Sequence, residues 1–169
     1  MARRKVLTGN DPVLRKISKK VVMFDKNVKD LFDDMQETLE KENGAGISAV
    51  QVGILKRMFI IYDKKDAVRV VNPEILKTSG VNKITAEGCL SVPGKWGDVE
   101  RPNKVLASFQ DEDGNYVKKE FTGFSAKAFC HEYDHLDGIL FVDRATNLCD
   151  TYEEYEKTKR KQNKNKGEK

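Results

Sequence analysis

Between residues 27 and 43, Val28, Leu31, Phe32, Met35 and Leu39 recur at three- and four-residue steps with charged residues between them. That period predicts an amphipathic helix with one core-facing stripe, and Gly44 supplies its stop. Upstream, Asp11-Pro12 reads as an N-cap followed by proline at the first helical position, opening a short turn through Val13 and Leu14. Residues 57–63 and 67–72 are short runs rich in β-branched and aromatic side chains, the second closed by Asn72-Pro73, and they predict a hairpin. Residues 104–110 and 116–122, separated by Asp-Glu-Asp-Gly-Asn, predict another. Ser125 can cap a helix that runs to about Asp137 and ends at Gly138. A last, charged helix is expected over residues 150–161.

Strands grouped between helical segments, without regular βαβ alternation, predict an α+β fold, with antiparallel or mixed sheets around the helix of residues 125–137. A chain of 169 residues suits one domain with appendages. Residues 1–149 are expected to form the catalytic domain, and residues 150–169 a charged helix with a disordered basic tail. Hydrophobic residues make up 38% of the chain and charged ones 34%, and no apolar run approaches a bilayer span, so no membrane partner is expected. The opening Met-Ala-Arg-Arg-Lys lacks the apolar segment of a secretory signal, and a cytoplasmic location is expected. Three cysteines without paired spacing argue against a disulfide framework and leave a thiolate free to act as ligand or nucleophile. The formal charge of +4 is concentrated at one end: residues 157–169 carry +6 and the rest of the chain −2. Such a tail either keeps the chain soluble or meets a polyanion.

Residues 131–135 read His-Glu-Tyr-Asp-His and hold the chain's only two histidines. On a helix, positions i and i+4 are surface neighbours, so His131 and His135 can reach one cation while Glu132 stands beside it as a general base. A catalytic metal usually takes three protein ligands and keeps one position open, so a ligand is missing. Cys89, in Glu87-Gly88-Cys89-Leu90-Ser91, is the strongest candidate, although a lone cysteine also serves as a small buried hydrophobe. Gly88 permits close backbone approach, and Pro93 is expected to limit regular strand pairing beyond it. Cys130, one helical step from His131, points about 100° away from it. In Gly44-Ala45-Gly46-Ile47-Ser48-Ala49-Val50-Gln51, the glycines invite an extended edge that a peptide can pair with. Gln51 offers the uncharged N–H donor that a developing oxyanion needs.

Taken in order, the Gly44/Gly46/Gln51 segment, residues 87–91 and the His131–Gly138 stretch resemble the peptide deformylases, a resemblance that covers about residues 5–145. It implies Cys89, His131 and His135 as metal ligands, Glu132 as the acid/base, and Gln51 with the Leu90 backbone N–H as oxyanion donors. It also implies Fe(II) as the metal, although thiolate and imidazole ligation admits Zn(II) or Ni(II) as well. The implied substrate is a nascent N-formylmethionyl chain lying extended beside Gly44, Ala45, Gly46 and Gly88, with Ala128 lining the pocket for its methionine. Ala45, Trp96 and Cys130 depart from residues common among relatives, which bears on the pocket's rim and width. Glu87 and Arg101 can form an ion pair that holds the cysteine loop, or each can be only a surface charge. A zinc peptidase and a non-catalytic metal-binding module are the alternatives. The lysine-rich tail suggests the ribosome as a further partner, and no DNA partner is expected.

Overall fold

The computed structural model describes residues 2–167. Asp11 accepts from the Val13 N–H and opens a single 3-10 turn, Pro12–Arg15. Helix α1, Lys26–Lys41, is capped by Asp25, whose carboxylate accepts from Asn27 and Val28, and it buries the predicted stripe together with Thr38. Its left-handed stop is Asn43 (φ 52°), not Gly44 as expected. Gly44 matters for proximity instead, because a Cβ there would lie 2.7 Å from Leu39 Cδ1.

Strand β1, Gly46–Ser48, is the edge of a five-stranded antiparallel sheet that continues through β2, Met58–Asp63, and β3, Asp66–Ser79. The expected hairpin of β2 and β3 is present, but β3 does not end at Asn72-Pro73. Asn72 takes φ 49° at an irregularity in the pairing and exchanges two 2.8 Å hydrogen bonds with the Val21 backbone. Proline, which has no N–H to offer, is tolerated at such a break, and the strand resumes beyond it.

A second, three-stranded sheet contains β4, Lys83–Cys89, and β5, Val92–Arg101. Neither strand was foreseen. Glu87 pairs with Gly97 and Cys89 with Val92, so residues 93–96 bulge out opposite Gly88. Pro93 lies in that bulge, where no ladder hydrogen bond is required of it, and for that reason it does not stop the pairing as expected.

The predicted hairpin appears as β6, Lys104–Gln110, and β7, Tyr116–Thr122, completing the first sheet in the order β1-β2-β3-β6-β7. Helix α2, Phe124–Leu136, follows at once. Its N-cap is Gly123 (φ 61°); Ser125, the expected cap, donates its hydroxyl to the Thr122 carbonyl instead. At its other end Gly138 takes φ 72°, and a Cβ there would fall 2.5 Å from the Arg15 carbonyl oxygen, so glycine is required on both counts. Phe129 anchors α2 on the large sheet, with ring centroids 5.1 Å from Phe59 and 5.0 Å from Phe121. His131 and Asp134 of the helix meet Glu87 of β4 and Arg101 of β5 in the small sheet.

Strand β8, Thr146–Cys149, adds to β5, and helix α3, Tyr152–Gly167, closes the chain. The expected disordered tail is helical as far as Gly167. Pairs such as Glu153–Lys157 and Glu156–Arg160 support the helix, and its lysines and glutamine are good helix formers with nothing to break them. Residues 168–169 lie outside the described residues. Buried Tyr155 ties α3 to β5, donating its hydroxyl to Asp98 Oδ1 at 2.6 Å, while Lys159 reaches Oδ2. All three cysteines are free, and no described helix is long and apolar enough to cross a membrane.

Candidate active site

The two sheets present their edges to each other across α2: β1 is the outer strand of one and β4 of the other. Between them opens a cavity of about 610 Å³, lined by Gly44, Ala45 and Gly46 on one side and residues 85–90 on the other. Helix α2 supplies its floor through Phe124, Lys127, Ala128, His131 and Glu132.

Cys89 at the end of β4 meets the two histidines of α2. Its Sγ lies 3.3 Å from His135 Nε2, and one ligand atom from each of the three residues lies within 4.8 Å of the others. A four-coordinate centre with bonds of about 2.0–2.3 Å holds its ligand atoms roughly 3.3–3.8 Å apart, so a thiolate and two imidazoles in this arrangement fit a metal ion. Cys130 is not part of the cluster; its thiol is buried and pushed up to about 11 by that burial.

The histidines are unequally supported. His131 Nδ1 is 2.9 Å from Glu87 Oε2, which fixes the ring and leaves Nε2 for the cluster. His135 Nδ1 is buried without a hydrogen-bond partner. Burial lowers the pKa of both. For His135 that effect wins and His131 reinforces it; for His131, hydrogen bonds with Cys89 and Glu87 overcome it and the pKa is raised.

Glu87 is itself held by Arg101 in a bidentate pair, 2.8 Å from Nε to Oε1 and 3.1 Å from Nη2 to Oε2. Of the two alternatives the sequence left open, the Glu87–Arg101 ion pair is the one present, and it is buried. Arg101 also donates to Asp134 at 2.6 Å, and Asp134 accepts two further bonds from Arg144. Burial opposes the charge on Glu87, yet His131 and Arg101 bring its pKa down to about 2. Sequence reasoning missed Asp134 and Arg144. The signal for Asp134 was its place between the histidines, three residues after His131.

Glu132 is buried beside the cluster. Ser48 Oγ stands 2.7 Å from its Oε2 and 3.0 Å from its carbonyl oxygen. Burial raises its pKa to about 7, partly offset by His131 and Ser48. A Cβ on Gly46 would come within 2.6 Å of Glu132 Oε1, so the glycine makes room for the carboxylate. Gln51 is oriented at both ends of its amide: Oε1 accepts from the Ser48 N–H at 2.8 Å, and Nε2 lies 3.1 Å from Ser91 Oγ and 3.6 Å from Cys89 Sγ. Nothing in the sequence singled out Ser48, which meets Glu132 from 84 positions away. Trp96 covers Gly88, leaving 3.1 Å for a Cβ there, and packs edge-on against Tyr152 of α3.

The model of the polypeptide deformylase family matches residues 3–151. The chain belongs to that family. Its members are metal-dependent hydrolases that remove the N-terminal formyl group from nascent peptides, and this chain is such a hydrolase. A peptide deformylase of Caldicellulosiruptor bescii is 51% identical over 144 residues, covering 85% of this chain and 86% of the relative. The crystal structure of the Thermotoga maritima peptide deformylase superposes with a TM-score of 0.84 at 38% identity, covering 86% of this chain and 99% of that one. An Acinetobacter baumannii deformylase solved with Met-Ala-Ser bound gives a TM-score of 0.81 at 36% identity, covering 85% and 98%. Membership decides against the peptidase and the non-catalytic module.

Proposed function

We propose that residues 1–149 carry out deformylation with Cys89, His131 and His135 holding Fe(II), on peptides that begin with N-formylmethionine. The observation that carries this reading is the convergence of those three side chains within 4.8 Å, with Glu132 and Gln51 against them. Thiolate and imidazole ligation suits Fe(II), and Zn(II) and Ni(II) share the ligand preference. When bound, the cation supplies Lewis acidity to the formyl carbonyl and to a water molecule.

The protein's own groups do the rest. The carboxylate of Glu132, oriented by Ser48, takes a proton from water and returns it to the amine nitrogen as the C–N bond breaks. Formate and a free amino-terminal methionine result. Gln51 Nε2 and the Leu90 N–H donate to the oxygen that gains charge, and removal of one such donor typically costs about 2.7–4 kcal/mol. Gly44, Ala45, Gly46 and Gly88 offer the two facing sheet edges to an extended peptide, and Ala128 lines the space for the methionine side chain. The Met-Ala-Ser held by the Acinetobacter relative supports that choice of peptide.

The same reading places the protein in the cytoplasm. It also sets the exposed cations of α3, including Lys157, Arg160, Lys161 and Lys164, against ribosomal RNA, a polyanion where nascent chains emerge.

The test is formate release from formyl-Met-Ala-Ser, with acetyl-Met-Ala-Ser as control, by anaerobically purified protein whose metal content is measured on the same sample. Glu132→Ala is expected to keep metal and lose nearly all turnover, while Cys89→Ala loses the metal. Full activity in Glu132→Ala refutes the assignment.

A further inference from the structure

One cation on the cavity wall has no part in the chemistry above. Lys127 stands on α2 one turn before His131, half-buried, with its side chain on the cavity. The other charged groups there are answered within the protein: Glu42 by Arg3, Lys95 by Asp150, Glu87 by Arg101, and Glu132 by the Ser48 hydroxyl. The Lys127 side chain forms no ion pair or hydrogen bond among the described residues. Burial opposes its charge, and Lys83, at the start of β4, opposes it further; the one carboxylate acting on it, Glu87, is already bound by Arg101 and His131. A half-buried ammonium without a counter-charge gains when a ligand brings one.

Position says where on the ligand that charge belongs. Side chains one turn apart on a helix stand about 5–6 Å apart, and an extended peptide advances roughly 3.3 Å per residue. With the formyl carbon at the ligand cluster and the peptide running outward along α2, the root of Lys127 falls level with the methionine and the residue after it. The extended lysine stem, about 6 Å long, brings the ammonium within reach of the two residues that follow the methionine. Phe124, 68% exposed, lies farther out along the helix, so Lys127 sits between the reacting end and the mouth.

We propose that Lys127 is a specificity-determining residue that favours formylated peptides with aspartate or glutamate in the two positions after methionine over those with lysine or arginine there. The proposal rests on the site reading above. It is tested with C-terminally amidated formyl-Met-Xaa-Ser and formyl-Met-Ala-Xaa, where Xaa is Asp, Asn or Lys; amidation removes the terminal carboxylate, which would itself answer Lys127.

The Asp-to-Lys ratio of kcat/KM is expected to be about three- to tenfold at low salt in at least one of the two positions, and to shrink at about 0.5 M salt. Lys127→Gln brings the ratio to about one, and Lys127→Glu inverts it. Each ratio compares substrates on the same enzyme, so a general loss of folding cancels. A wild-type ratio near one in both positions, or one that survives in Lys127→Gln, overturns the proposal while formate release still stands. Absence of formate from every peptide overturns the site reading, and this proposal with it.

Discussion

Replacing Gly46 by alanine tests whether the position of Glu132 governs turnover. The added Cβ would lie 2.6 Å from Oε1, 2.9 Å from Cγ and 3.0 Å from Cδ of Glu132, against the 3.4 Å at which ordinary contact begins. Oε1 must therefore retreat by about 0.8 Å. The far end of a glutamate usually yields easily, but this one is buried and pinned by Ser48 at 2.7 Å. Overpacking of this kind costs about 1–3 kcal/mol of stability. A displacement near 1 Å in a reacting group costs on the order of a hundredfold in rate. We expect Gly46→Ala to lower kcat by roughly ten- to a hundredfold with metal content unchanged, measured by formate release under saturating formyl-Met-Ala-Ser. Gly44→Ala is the matched control. Its Cβ meets methyl ends of Leu39 and Leu90, away from the carboxylate, so its effect should fall on KM. Wild-type kcat in Gly46→Ala would refute the argument that Glu132 has nowhere to go.

Two further outcomes follow from the buried charges. Arg101→Met strands Glu87 and part of Asp134 and should cost about 3–5 kcal/mol in urea unfolding, whereas Arg15→Met, whose pair with Asp143 is half-exposed, should cost under about 1 kcal/mol; equal losses would contradict the burial argument. In metal-free protein, Glu132 binds its proton more tightly folded than unfolded, with a folded pKa of about 7 against the ordinary glutamate value of 4.5. Its contribution to stability therefore declines as pH rises from about 4.5 to 7, by about 3 kcal/mol in all, and Glu132→Gln should remove that decline. Identical pH profiles for wild type and Glu132→Gln in urea titrations would count against the shift.

How far the fold was legible depended on how local each signal was. The β6-β7 hairpin and the apolar stripe of α1 came through because alternation and three-to-four spacing act between near neighbours. Strands β4 and β5 were missed because Pro93 read as a limit to strand pairing, and the bulge that accommodates it exists only once both strands are paired. Asn72 misled in a similar way, since the Val21 backbone that holds its turn lies 51 positions away. The helical extension of α3 was hidden by composition: a charged stretch with no apolar stripe reads as tail.

At the site, residue types and helix spacing determined the chemistry on offer: two imidazoles on one face, a carboxylate beside them, and a thiolate and an amide in recognisable segments. Those are properties of short stretches of chain. Tertiary structure decided what stands next to them. It placed Cys89 against His135 across 46 positions, set Ser48 on Glu132, buried Arg101 between Glu87 and Asp134, and left Lys127 facing the cavity unanswered. The physical reason is that the desolvation and pairing that set these charges arise only when distant segments close around a common space, and no local period encodes them.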